Sequence, residues 1–153
     1  MFDTNIFISA FAIAGGHAEE AYLHAVHGTF ELFTSVSILT ETANTLRTKF
    51  EWSDEKVQQV LRSISKTVTV LKTRPHLHIL KDEPDNRILE CTLLAKAQVI
   101  VTGDRHLLAL KHHHETSIVK LADFLELLGR PGGAPLMPLL LVNSSSVAVD
   151  LRP

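Results

Sequence analysis

Short apolar segments rich in β-branched residues alternate along this chain with longer segments of helical periodicity. The clearest strand pattern is "QVIVT" (98–102), and "TVTVL" (67–71) is a second β-branched segment. The segment after Ser53 places Val57, Val60, Leu61 and Ile64 at the i, i+3, i+4, i+7 spacing of an amphipathic helix. This alternation is typical of α/β domains in which helices pack against a parallel sheet. The sequence therefore predicts an α/β fold.

The same patterns predict the remaining elements in chain order. Further helices are expected at 4–14, 17–28, about 37–50, after Pro84, at 103–113 and at 121–129. Further short strands are expected at 1–2, 29–35 and 117–120. Ser37 or Thr40 could begin the helix near 37–50, and Ser53 is a good N-cap for the next one.

One domain is expected from a length of 153 residues. The composition shifts at "GRPGGAP", so residues 1–128 are predicted to form the domain and residues 129–153 a flexible tail or a foreign extension. A single cysteine, Cys91, excludes an internal disulfide framework and favours a packed thiol in the reducing cytoplasm. No apolar run approaches the ~18 residues of a membrane span, so no membrane association is expected.

The net charge of −2 excludes a broad basic face of the kind that coats duplexes. It does not exclude a nuclease, because metal ions held by acidic residues can bind the substrate phosphates. Four basic residues could contact RNA phosphates or pair with nearby carboxylates: Arg47, Lys49, Arg87 and Arg105. The run His112–His114 is interpreted as a solvated helix end, because no cysteine or acid completes a ligand set.

Four acidic residues each follow a predicted strand, where function gathers in parallel α/β sheets. They are Asp3, Glu41, Asp85 and Asp104. Brought together, four carboxylates would repel one another, and Mg²⁺ or Mn²⁺ would relieve that repulsion. The alternative for each single residue is a helix N-cap, for which Asp85 and Asp104 are well placed, or a solvated helix position for Glu41.

Four longer stretches together resemble the PIN-domain family of metal-dependent ribonucleases, which includes the VapC-like toxins of type II toxin–antitoxin modules. They are "DTNIFISAF", "SILTETANTLRTKF", "DEPDNRILECTLLAKAQVIVTGDRHLLAL" and "IVKLADFLELL", in the family's order and spacing. The resemblance implies a three-layer α/β/α PIN-like domain with a central parallel sheet. It also implies hydrolysis of RNA by water with Mg²⁺ or Mn²⁺, a homodimer, and an antitoxin partner that covers the acidic pocket.

Carried over by position, the resemblance also assigns roles to individual residues. It implies the acidic metal-binding and catalytic quartet Asp3, Glu41, Asp85 and Asp104, with Asn5 and Thr102 as polar residues that brace it. In the family, four or five apolar residues usually precede the first acid, whereas here only Met1 and Phe2 do. This departure motivates one alternative to an RNA-cutting toxin, an inactive PIN-fold module that binds RNA or protein. The shared acidic chemistry leaves a further alternative open, a structure-specific DNA nuclease.

Overall fold

The computed structural model describes residues 1–129. The seven helices are α1 (Thr4–Ala12), α2 (His17–Val26), α3 (Val36–Thr48), α4 (Asp54–Thr67), α5 (Glu83–Ala95), α6 (Arg105–Leu110) and α7 (Leu121–Leu128) in this part of the chain. The five strands there are β1 (Phe33–Ser35), β2 (Thr69–Leu71), β3 (Val99–Val101), β4 (His112–His113) and β5 (Thr116–Val119). The predicted tail, 129–153, lies outside the described residues except for Gly129, which ends α7. The boundary at residue 128 stays a prediction.

Parallel pairing dominates the strands. β1 pairs in parallel with β2, and β3 pairs in parallel with β5. Before α1, Phe2 forms a parallel bridge with Val101, so the first two residues extend the sheet beside β3. Helices α1, α2 and α7 pack together, and α3 packs against α4 and α5. The predicted α/β fold with parallel strand pairing is confirmed, and the strands of the described residues form two sheets, β1-β2 and β3-β5-β4.

An aromatic cluster anchors the start of the chain. The Phe2 side chain is fully buried, with its ring centroid 5.5 Å from Phe7, 6.0 Å from Phe30 and 6.2 Å from Phe124. Removing a buried phenylalanine side chain typically costs about 3–5 kcal/mol. Two residues are therefore enough to fix the backbone that leads into Asp3.

Two helix starts differ in how well the sequence predicted them. Ser53 is the N-cap of α4, and its hydroxyl accepts a hydrogen bond from the Lys56 amide at 3.2 Å, as predicted. The prediction that Ser37 or Thr40 begins the helix near 37–50, which is α3, was wrong. Ser35 caps α3 instead, because its hydroxyl accepts the Ile38 amide at 3.2 Å directly at the end of β1.

The histidine run is not a helix end. Helix α6 stops at Leu110, and His112–His113 form β4, which pairs antiparallel with β5. Lys111 and His114 adopt positive φ angles of 59° and 53° on either side of β4. Pairing with β5 therefore outweighs local helical preference, and the His113 side chain becomes buried. Within residues 1–129, none of the helices combines the length and apolar character that a membrane crossing requires.

Candidate metal centre

Asp3 is a buried carboxylate held by two hydrogen bonds. Its Oδ1 accepts the Thr4 amide at 2.7 Å, which makes Asp3 the N-cap of α1. Its Oδ2 accepts the Thr102 hydroxyl at 2.7 Å. The Asp3 amide donates to the Val101 carbonyl oxygen at 3.0 Å, so the residue sits where the first sheet segment ends. Strand pairing and capping together fix this side chain.

Glu41 is joined to Asp3 through Thr4. The Thr4 hydroxyl donates to Glu41 Oε2 at 2.9 Å, while the Thr4 amide donates to Asp3. Glu41 lies in the second turn of α3, which begins where β1 ends. One buried threonine therefore connects the first two acids of the predicted quartet.

Asp104 is connected to Asp3 through Thr102. The Asp104 amide donates to the Thr102 hydroxyl oxygen at 3.0 Å, and that hydroxyl donates to Asp3. Asp104 Oδ1 accepts the amides of His106 and Leu107 at 2.7 and 3.1 Å, so the N-cap alternative is realised here. The cap uses only one of the two carboxylate oxygens, so it does not exclude a ligand role for the other.

Asp85 joins this group through charge rather than through a hydrogen bond. It lies in the first turn of α5, whose N-cap is Asp82, and it is buried. Its Oδ2 is buried and has no hydrogen-bond partner among residues 1–129. Burial raises the pKa of Asp85 to about 7, and the charges of Asp104, Asp3, Asp82 and Glu41 add to this rise. The four predicted acids therefore interact electrostatically across one site.

The pKa values of Asp3 and Glu41 are also raised, and burial is again the main cause. Burial raises the pKa of Asp3, and the Asp104 charge adds to the rise against the opposing hydrogen bonds from Thr102 and Thr4. Burial also raises the pKa of Glu41, and the charge of Lys49 partly offsets this effect. A site in which carboxylates resist ionisation gains stability from a bound cation.

The donors fit a hard divalent cation by their chemistry. Carboxylate oxygens are the ligands that Mg²⁺ and Mn²⁺ prefer, and the buried, unpartnered Oδ2 of Asp85 offers one of them. No three His, Cys, Asp or Glu side chains in the described part already stand in a coordinating arrangement. Asp3, Glu41, Asp85 and Asp104 could hold the ion if their carboxylates draw closer around it.

The bracing residues differ in part from those the resemblance implied. Thr102 holds Asp3 and Asp104, whereas Asn5 is exposed and its side chain makes no hydrogen bond to the described residues. Thr4, between Asp3 and Asn5, makes the contacts instead. The sequence carried only a weak signal for this role, namely that Thr4 directly follows an acid at a helix start.

The four basic candidates occupy different environments. Arg87 Nε lies 2.9 Å from Glu90 Oε1, its Nη2 lies 3.2 Å from Glu83 Oε2, and Nη2 also donates to the Leu77 carbonyl oxygen at 3.0 Å. For Arg87 the ion-pair alternative is thus realised. Arg47 Nε similarly pairs with exposed Asp54 at 2.7 Å. The other two candidates, Lys49 and Arg105, are exposed.

Two buried polar residues of α5 were missed by the sequence reasoning. Glu90 Oε2 accepts the backbone amides of His76 and Leu77. Asn86 Oδ1 accepts the Leu80 amide at 2.8 Å, and its Nδ2 donates to the Leu80 carbonyl oxygen at 2.8 Å. These contacts fasten the segment before α5 along the helix that carries Asp85. Nothing in the residue spacing distinguished them from surface residues.

Comparison with known proteins identifies the family to which the chain belongs. The family model described as "PIN domain" matches residues 1–106, which is more than two thirds of the chain and includes all four acids. A search of curated proteins gave no significant match. PIN domains are generally nucleases and usually use a divalent metal ion. The chain belongs to the PIN-domain family.

Proposed function

We propose that this protein is a metal-dependent endoribonuclease whose Asp3, Glu41, Asp85 and Asp104 hold Mg²⁺ or Mn²⁺. The observation that carries the proposal is Asp85, a buried carboxylate with an unpartnered oxygen whose pKa is raised to about 7 by burial and by the other acids. Such a residue destabilises a fold unless it serves a ligand. Acids whose pKa values are shifted by burial and by one another are typical of functional sites.

The chain's own residues position the reaction. Thr102 and Thr4 orient the Asp3 and Glu41 carboxylates, so these groups keep a fixed direction without a ligand. Asp104 keeps one oxygen on the α6 amides and leaves the other for ligation. When bound, a divalent cation supplies a Lewis acid that lowers the pKa of a water and stabilises charge on the phosphate. This set of residues supports the proposed hydrolysis of an RNA phosphodiester by water.

The proposal extends to the biological role of the protein and to its partners. The resemblance of the four quoted stretches to VapC-like toxins supports a cytoplasmic toxin that forms a homodimer and is silenced by a cognate antitoxin. An antitoxin suited to this site would insert a basic residue among the carboxylates, because the raised pKa values of Asp3, Glu41 and Asp85 favour a nearby positive charge. Light scattering at two protein concentrations tests the dimer.

The test of the proposal is RNA cleavage by Asp3→Asn and Asp104→Asn variants. Asparagine caps helices about as well as aspartate, so Asp104→Asn is expected to keep α6 and the fold. Both variants should lose cleavage in Mg²⁺ and Mn²⁺, whereas Asp123→Asn, an exposed acid in the first turn of α7, should cut normally.

Two outcomes would redirect the assignment. Robust metal-dependent cleavage by both site variants, once a contaminating nuclease is excluded, would eliminate the proposal. Intact RNA with retained binding would favour the inactive PIN-fold binding module, and preferential cutting of flap DNA in a parallel assay would favour the structure-specific DNA nuclease.

A further inference from the structure

Charge is distributed unevenly along this chain. Residues 56–81 contain six lysines and arginines and no aspartate or glutamate, whereas the whole chain has 15 basic and 17 acidic residues. The basic members of this segment are Lys56, Arg62, Lys66, Lys72, Arg74 and Lys81. A net charge of −2 therefore conceals one locally basic stretch, which ends directly before Asp82.

The second half of this stretch runs alongside α5 towards the acidic site. After β2, the amides of His76 and Leu77 donate to Glu90, and the Leu80 amide donates to Asn86 one helical turn nearer the start of α5. The segment reaches Asp82, whose charge raises the pKa values of Asp85 and Glu41. The basic segment is thus fastened to the helix that begins at the acids.

An open cavity of about 480 Å³ lies where this segment meets the later turns of α5. It is lined by Lys72, Thr73, Arg74, His76, Glu90, Leu93 and Leu94. Lys72 and Arg74 are exposed, and neither forms an ion pair with a carboxylate of residues 1–129. Two unpaired cations therefore face the same cavity.

Further features of the cavity suit a nucleotide chain. The Thr73 hydroxyl is buried and has no partner among the described residues. The Leu94 side chain is 56% exposed and offers an apolar surface to a sugar or an unpaired base. The Glu90 charge does not cancel the two cations, because Arg87 and the amides of His76 and Leu77 already surround it.

We propose that Lys72 and Arg74 bind the phosphodiester backbone of single-stranded RNA on its way to the acidic site. This inference rests on the proposed function, because it assigns a binding surface to the same substrate. The rise of α5 from Leu93 to Asp85 is about 12 Å. The cavity therefore lies only a few nucleotides along the backbone from the acidic site.

The experiment measures binding of a fluorescently labelled single-stranded RNA by anisotropy, in EDTA so that no cleavage occurs. The test variant is Lys72→Ala/Arg74→Ala. The matched control is Arg62→Ala/Lys66→Ala, which removes the same two charges from exposed positions of α4 that do not line the cavity. Thermal unfolding of both variants establishes that the fold is retained.

The test variant is expected to bind RNA roughly tenfold more weakly at low ionic strength. Its slope of log K against log salt should shrink by about 1.4, the value for two lost single-strand contacts. The control variant should match the unaltered protein in both quantities. Equal weakening of the two variants, unchanged binding by the test variant, or no measurable binding by the unaltered protein would each overturn the inference.

The experiment distinguishes a failure of this inference from a failure of the proposed function. Weakened binding without any cleavage in metal would sustain the RNA-binding surface and refute the nuclease proposal. Normal cleavage by the unaltered protein, together with unchanged binding by the test variant, would refute the RNA-binding surface and leave the nuclease proposal standing. The same oligonucleotide made as single-stranded DNA shows whether the cavity recognises the backbone charge alone or also the 2′-hydroxyl.

Discussion

Replacing Asp85 by asparagine should stabilise the protein at high pH while weakening the stabilisation that it gains from metal. The folded-state pKa of Asp85 is raised from 3.8 to about 7. A carboxyl group whose pKa is raised on folding favours the native state below its unfolded pKa. That contribution is lost as pH rises through the folded pKa. The free energy of unfolding should therefore decline between about pH 4 and pH 7 because of this residue.

The magnitude follows from the size of the shift. A rise from 3.8 to about 7 corresponds to about 4 kcal/mol at full ionisation. Solvent screening at this edge of the sheet, where Glu41 and Asp104 are only half-buried, reduces the expected value to about 2 kcal/mol. Asparagine keeps the shape of the side chain but cannot ionise. The variant should therefore gain about 2 kcal/mol over the unaltered protein at pH 8 and almost nothing at pH 4.

Bound metal should make the unaltered protein more stable than Asp85→Asn at pH 8. A ligand at 100 times its dissociation constant stabilises the native state by about 2.7 kcal/mol. The unaltered protein should gain this stability in Mg²⁺ or Mn²⁺ at pH 8, and Asp85→Asn should gain much less, because the unpartnered Oδ2 is replaced. Cleavage of RNA by the variant should fall to background.

Urea unfolding followed by circular dichroism measures these differences at pH 4 and pH 8, in EDTA and in metal. Asp123→Asn is the matched control, since Asp123 also lies in the first turn of a helix but is exposed. The reasoning is refuted if Asp85→Asn destabilises the protein equally at both pH values. It is also refuted if metal stabilises the variant as much as the unaltered protein.

Two further substitutions, one of them paired with a control, test the supporting contacts. Thr102→Val removes the hydroxyl that donates to Asp3 and should cost about 1–3 kcal/mol of stability together with most of the metal-induced stabilisation. Thr116→Val, which removes another buried hydroxyl bond, should cost a similar amount and leave the metal response intact. Arg87→Met leaves buried Glu90 without its cation and should cost about 3 kcal/mol by urea unfolding. A large loss of RNA affinity with normal stability would instead give Arg87 a direct role in binding.

Local patterns predicted much of this fold because they depend on neighbours in sequence. The Ser53 cap and the Val57, Val60 and Ile64 face of α4 follow from helical spacing alone, and all three apolar residues are buried. The strand "QVIVT" was predicted from its β-branched residues, and β3 lies within it. The order of strands and helices then placed the acids at strand ends, which is why spacing could suggest a common site.

The remaining features depend on pairings between distant residues, which local patterns do not encode. Thr4 braces the acids because α1 packs beside α3 and brings its hydroxyl to Glu41, 37 positions away in sequence. His113 becomes a buried strand residue only because β5 pairs with it. Arg87 is held by contacts that form when the segment before α5 folds back along that helix.

The four acids are held with different degrees of constraint, and this difference indicates where the site can adjust. Asp3 and Asp104 share Thr102 beside β3, and Glu41 is tied to Asp3 through Thr4. Asp85 has no hydrogen bond of this kind at Oδ2 and sits on another helix. Because no three carboxylates stand ready for coordination in the part of the chain described, a bound cation must draw ligands inward. Asp85 Oδ2 can move without breaking a hydrogen bond, whereas the neighbouring Asn86 side chain is bonded to Ile79 and Leu80, so metal binding and the order of the segment before α5 are expected to be coupled.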